Sequence, residues 1–191
     1  MLSLDLKKGM SLNLQKEDDH LNVLAVAMGW QTTKDLDAFC YLIDNYDRIR
    51  EIVYYGDKNH QGIFLDGDDL VGGGSGDNET ITVTLSELSF DITKLIFCAN
   101  IYNARPARRC GFFKERYVEG DNFGQIKNTF VRCYNKETNE EICRYNLTED
   151  GKGYNAFQFV TMTKGENGWE VHADGIGMNG SIAELKNQIK F

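Results

Sequence analysis

Between Asp57 and Glu79 the chain sets six acidic residues and six glycines around a single lysine. The run reads Asp57-Lys-Asn-His-Gln-Gly-Ile-Phe-Leu-Asp-Gly-Asp-Asp-Leu-Val-Gly-Gly-Gly-Ser-Gly-Asp-Asn-Glu79. Carboxylates crowded this closely repel one another, and the glycines weaken any helix or strand that would hold them apart. A divalent cation relieves the repulsion. Hard cations such as calcium take about six to eight oxygens from carboxylates, side-chain amides and backbone carbonyls, and glycine lets the chain turn its carbonyls inward. A solvated acidic loop is the plainer account of a charge run. The glycine interleaving favours metal.

Other chemistries fit less well. Asp57-Lys-Asn59-His-Gln61-Gly62 resembles the first half of an EF-hand loop ending at Asp68, but Gln61 is off-pattern, position twelve is Asp, and the flanks read as strands. Gly72 to Gly76 lacks the Gly-Lys-Ser/Thr ending of a phosphate-binding loop, and its acidic company would repel phosphate. His20, His60 and His172 form no paired motif, and His172 alternates along a strand as a half-buried structural residue would. No nucleophile–base arrangement stands out, so an enzyme is not expected. A hydrolase using Asp or Glu pairs stays open, because sequence spacing does not fix carboxylate separation.

The elements that must position the acidic run read as short strands. Apolar or β-branched runs recur at Ser11–Leu14, Leu21–Val26, Ala38–Ile43, Ile49–Tyr55, Thr80–Leu85, Leu95–Ile101, Thr129–Tyr134, Glu141–Leu147, Ala156–Thr161 and Trp169–His172. Turn signals such as Asn135–Asn139, Asp150-Gly151 and Gly165–Gly168 separate them. This spacing predicts an all-β fold, a β-sandwich of two antiparallel sheets. Ser181-Ile-Ala-Glu184 is a capping-box pattern, and Ile182, Leu185 and Ile189 follow at helical spacing, so a short C-terminal helix is expected. One proline and no low-complexity linker argue for a single domain over residues 1–191.

Composition narrows the partners. The 29 acidic against 21 basic residues give a formal charge of −8, which argues against nucleic acid, whose binding needs a basic face. No stretch approaches the roughly 18 apolar residues of a membrane span, and Met1-Leu-Ser-Leu-Asp5 lacks a signal peptide's apolar core, so the expected location is cytoplasmic. Five cysteines without a C-x-x-C pair fit that compartment. Cys40, Cys98, Cys133 and Cys143 sit in apolar runs, whereas Cys110, beside Arg108 and Arg109, has the surroundings of a reactive thiol.

Several ordered blocks, spanning nearly the whole chain, resemble the TerD family of tellurium-resistance and stress-response proteins. They are Leu2-Ser-Leu-Asp-Leu-Lys-Lys-Gly9, Val26-Ala-Met-Gly-Trp30, Asp35-Leu-Asp-Ala38, Gly67 to Glu79, Phe123 to Arg132, Glu141 to Asp150, and the late Gly168-Trp169-Glu-Val171. The resemblance implies a two-sheet sandwich, one or two calcium ions at the acidic loops, and binding or scaffolding rather than catalysis. It also places Asp35 and Asp37 at the metal, and an Asp-x-Asp at a strand entry sends both carboxylates to one side. The expected side-chain ligands are Asp35, Asp37, Asp57, Asp68, Asp77 and Glu79. Asp66, Asp69, Ser75 and Asn78 are second choices, and Gly72 and Gly74 offer carbonyls. Two features depart from the family. Gly73 and Ser75 stand where acids are usual, removing two charges from a site whose affinity follows charge count. The segment Asn103 to Gly120 is longer than the family's and joins Arg105, Arg108, Arg109, Lys114 and Arg116 with Phe112, Phe113 and Tyr117, a surface expected to meet a protein partner such as another stress-resistance protein. The alternatives to a calcium module are a metal-dependent hydrolase and a metal-independent interaction scaffold.

Overall fold

The structure, a computed structural model, describes residues 3–66, 76–110 and 116–191. Among these residues the strands, numbered in chain order, form two large sheets. Sheet 1 runs β1 (Leu4–Leu6), β13 (Glu141–Asn146), β12 (Lys127–Asn135), β3 (Val23–Gln31), β8 (Glu79–Thr84), β7 (Ile63–Asp66), β6 (Asn59–His60). Sheet 2 runs β2 (Ser11–Asn13), β15 (Gly168–Met178), β14 (Ala156–Gly165), β9 (Ile92–Ile101), β4 (Leu36–Asp44), β5 (Ile49–Val53). Neighbours pair antiparallel throughout, except that β1 lies parallel to β13. The expected sandwich is therefore present, with one parallel pair added. All ten apolar runs of the sequence fall on strands. A separate hairpin, β10 (Arg108–Cys110) with β11 (Arg116–Val118), pairs within itself.

The core lies between the sheets. Val26, Met28, Ile81 and Val83 from sheet 1 meet Leu36, Ala38, Leu95 and Phe97 from sheet 2. Successive strand residues face opposite sides, so Phe39, Tyr41 and Ile43 of β4 point the other way, outward from the sandwich. They are buried too, with Ile96 and Cys98 of β9, beneath the helix α2 (Ile182–Leu185) and Ile189. A strand covered on both faces needs apolar residues at every position, which is why Ala38–Ile43 reads as an unbroken run rather than an alternation.

The capping box at the start of α2 forms as the sequence predicts. The Ser181 N–H and Oγ–H each donate to Glu184 Oε2 at 2.8 Å. The helix is held down by polar contacts as well: Tyr41 Oη donates to the Ile182 carbonyl at 2.7 Å. Further on, Gln158 Nε2 donates to the Lys190 carbonyl, and Lys190 N–H donates back to Gln158 Oε1, both at 2.9 Å. Burial of the Tyr41 ring pushes its phenol well above the ordinary tyrosine range. A second short helix, α1 (Leu14–Glu17), begins with Asn13, whose side chain accepts from Lys16 N–H.

Register fixes where the acidic run emerges. Asp66 of β7 pairs with Thr80 of β8, so residues 67–78 of the run connect these two strands. Glu79 lies opposite Met28 near the end of β3, where the chain crosses to β4 in sheet 2. The returning run passes Gly29 closely. A Cβ there would sit 2.7 Å from the Gly76 carbonyl and would also enter the Phe130 ring. Only glycine fits.

Candidate metal centre

Four of the twelve expected ligands come to one end of the sandwich, where β3, β8 and β4 meet. Asn78 extends the ladder by one residue: its N–H donates to the Met28 carbonyl at 2.9 Å, and its Oδ1 accepts from Trp30 N–H at 2.7 Å. Glu79 opens β8 in sheet 1, yet its side chain reaches sheet 2, where Oε2 accepts from Ala38 N–H at 2.5 Å. Asp37, opposite Asn100 in the β4–β9 ladder, faces away from the core residues Leu36 and Ala38. Asp35 precedes β4, and its carbonyl accepts from Tyr102 N–H at 2.9 Å. Asp37 is 3% exposed and Glu79 1%. Carboxylates this deep must be matched by donors or by a cation, since an ion stripped of water is costly.

Three others are placed elsewhere. Arg132 of β12 grips Asp77 with two bonds, Nε to Oδ1 at 2.8 Å and Nη2 to Oδ2 at 2.7 Å, and also reaches Glu141 Oε2 at 3.2 Å. The two carboxylates hold the guanidinium above its usual range, Asp77 first, against the opposing effect of burial. Asp66 accepts from Thr82 Oγ1 at 2.7 Å and pairs with Lys136 Nζ at 2.6 Å. Asp57 exchanges two backbone bonds with Tyr54 in a tight turn, and its Oδ2 lies 3.4 Å from His60 Nε2. Asp68, Asp69, Gly72, Gly74 and Ser75 lie outside the described residues, as does Gly73. Among the described residues no group of three His, Cys, Asp or Glu side chains could hold a metal ion unaided. The donors gathered at β4 and β8 are all oxygens, carboxylate and amide, which suits a hard cation such as calcium rather than a thiolate- or imidazole-seeking metal.

Beside this end the base of the long Asn103–Gly120 segment is clamped. Asp121 accepts from Arg105 N–H at 2.9 Å and from the guanidinium through Nε and Nη2, each at 3.0 Å, and it pairs with Lys34 Nζ. The Arg105 bonds, then Lys34, hold the Asp121 carboxyl well below the ordinary range despite partial burial. Gly120 is required at this closure, because a Cβ would lie 2.5 Å from Ala107 N. The side chains between 108 and 118, including Cys110, lie outside the described ones. The other four cysteines are buried free thiols, as the sequence suggests. His172 sits on β15 with Nδ1 2.6 Å from Asp174 Oδ1, a partner that strand alternation hinted at without naming.

Sequence reasoning missed Arg132, Lys136, Asp121 and Asn100. Alternation along Thr129–Tyr134 puts Arg132 on the outer face, but nothing in the chain says that Asp77, 55 residues away, is its partner.

Comparison with known proteins agrees with this architecture. A TerD domain profile matches residues 2–188. General stress protein 16U of Bacillus subtilis is 30% identical over 196 residues, covering 96% of this chain and 95% of that protein. Tellurium resistance protein TerD of an Alcaligenes species is 28% identical over 195 residues, covering 96% and 95%. Among solved structures, a homologue of telluride resistance protein (TerD) from Streptomyces coelicolor superposes with a TM-score of 0.66 at 18% identity, covering 87% of this chain and 95% of that one. Profile, relatives and sandwich agree over almost the whole length: the chain belongs to the TerD family.

Proposed function

We propose that the protein is a calcium-binding module of the stress- and tellurium-resistance type, acting by binding or scaffolding rather than by catalysis. The observation that carries this reading is the presence of two deeply buried carboxylates from different sheets, Asp37 and Glu79, beside Asn78 at the end where a glycine-rich acidic run returns to β8. Asp35, Asp37, Asn78 and Glu79 would hold the ion from the sandwich, with Asp68, Asp69, Gly72, Gly74 and Ser75 supplying the remaining oxygens. Bound calcium would neutralise the acidic end; no bond-making step is assigned to it. Four buried thiols suit a reducing, cytoplasmic setting, and among the described residues no helix is long and apolar enough to cross a membrane. The self-paired hairpin β10–β11 is the surface assigned to a protein partner.

One observation favours the second reading, a metal-independent scaffold: Arg132 and Lys136 already neutralise Asp77 and Asp66. Thermal melting separates the two. A cation that binds only the folded state stabilises it by about 2.7 kcal/mol at a hundred times its dissociation constant. Melting in millimolar calcium is expected well above melting in excess chelator, with magnesium less effective because it demands a near-octahedral shell and keeps its waters. Identical curves in calcium and chelator would leave the scaffold reading standing.

A further inference from the structure

Two of the buried thiols meet. Cys133 of β12 lies directly opposite Cys143 of β13 in an antiparallel ladder, and both belong to the main core, at 2% and 1% exposure. Opposed residues send their side chains to the same face of a sheet, and a hydrogen bond joins these two thiols. Cys40 and Cys98 are not placed this way. Cys40 lies opposite Phe97 and Cys98 opposite Phe39, so one thiol faces the main core and the other faces the cover that α2 forms.

The spacing of the pair suits a covalent link. Directly opposed residues of an antiparallel ladder lie about 4.5–5.5 Å apart at Cα, and disulfides form across about 4.4–6.8 Å. At Cβ the ladder gives about 4.5–5.5 Å, whereas a disulfide wants about 3.8 Å. Closing the bond therefore draws the two strands together by roughly an ångström, and a bond made under strain is readily reduced again. The fold has slack at this point. The register shifts between Cys133 and Tyr134, and a strand bends at such an irregularity. On its far side β13 pairs with β1, a strand of three residues, so the β12–β13 hairpin lies near the margin of sheet 1.

Burial sets when the pair reacts. Contact with Cys143, then burial, pushes the Cys133 thiol well above its usual range, and a protonated thiol in a core is inert at rest. Local opening of the hairpin admits water and a small oxidant.

We propose that Cys133 and Cys143 form an oxidant-responsive dithiol, closing to a reversible intrachain disulfide when a peroxide reaches them. One thiolate attacks the peroxide, forming an S–O bond, breaking O–O and releasing water. The second sulfur then attacks the sulfenic acid, forming S–S and expelling the oxygen as a second water. Two thiols are oxidised, one peroxide is reduced, and both protons leave with the waters.

Hydrogen peroxide treatment of the full chain carrying Cys110→Ser tests the assignment, because only the four buried thiols then report. Excess chelator keeps the reaction independent of any bound cation, and circular dichroism confirms intact sheets throughout. Thiols counted in denaturant after quenching should fall from four to two, and a thiol reductant should restore all four. Mass spectrometry of the alkylated digest should find one linked pair, 133 with 143, two hydrogens lighter than the separate peptides. In Cys133→Ala and in Cys143→Ala the remaining thiols should stay reduced under the same treatment. A linked peptide joining Cys40 or Cys98, a product that the reductant does not reverse, or four thiols still free after prolonged treatment would overturn the proposal.

Discussion

Removing the Glu79 side chain takes away a bond that links the two sheets directly, and the size of the effect can be worked out. A hydrogen bond to a charged group contributes about 1.5–3 kcal/mol net. Glu79 Oε2 accepts from Ala38 N–H in a fully buried setting, so Glu79→Ala should destabilise by about 2 kcal/mol in chelator. For a chain of this size each kcal/mol shifts the melting temperature by about 2–4 °C, giving a fall of about 4–8 °C. Glu79→Gln keeps an acceptor oxygen without the charge, and a neutral bond is about half as strong, so the fall should be about 2–4 °C. Calcium adds a second reading to the same assay. If the Glu79 carboxylate is a ligand and its loss weakens binding tenfold, the stabilisation at a fixed calcium level falls from about 2.7 to about 1.4 kcal/mol. Differential scanning calorimetry of the three proteins, in chelator and in calcium, measures both effects. A Glu79→Ala protein melting within about 1 °C of the unmodified chain in chelator would refute the bridging argument. A full calcium increment in Glu79→Gln would refute the ligand role.

Two further outcomes follow from the site's surroundings. The Asp121 carboxyl is held below its ordinary range, so its contribution is complete above about pH 4 and is lost as pH falls from there; Asp121→Asn should destabilise by about 1–2 kcal/mol at pH 7, and urea titrations should show this gap closing in strong acid. Gly29→Ala forces a Cβ against the Phe130 ring and the Gly76 carbonyl, so it should lower stability by about 1–3 kcal/mol in urea denaturation and also weaken calcium binding by calorimetry, because it displaces the return of the acidic run.

Much of the framework could be read from the chain because strand formation leaves a local trace. The doubly covered β4 reads as an unbroken apolar run, and the capping box at Ser181 announces its own helix. Elements that depend on distant partners left none. The strand β1 has three residues, and only its pairing with β13, about 140 positions later, makes it a strand. The candidate site divides in the same way. Crowded carboxylates and glycines are visible in sequence. Which of them stay at the end of the sandwich and which are taken up by arginine and lysine depends on Arg132 of β12, 55 residues from Asp77, and on Lys136 just after that strand, 70 from Asp66. Asn100 sits in an apolar run with no sign that it lies opposite Asp37. The near match to an EF-hand at Asp57 has strands, β6 and β7, inside the twelve positions that such a loop would occupy.

The cover that α2 and Ile189 lay over sheet 2 gives the molecule two distinct ways of opening. Parting the sheets would expose the main core and amounts to global unfolding. Lifting the cover alone would bare Phe39, Tyr41, Ile43 and Ile96 while leaving the strand ladders intact, and it requires release of the Tyr41 and Gln158 contacts and of the Lys94 ammonium over the Phe191 ring. Segments of this kind open at a fraction of the global free energy. Amide protons of 182–190 should therefore exchange with deuterium well before those of β4 and β9, and a protease should find this segment first. The surface uncovered is apolar, made of Phe39, Tyr41, Ile43, Ile96 and Cys98. Under heat or chemical insult the earliest hazard to this protein is self-association through that face, at temperatures where its circular dichroism would still report intact sheets.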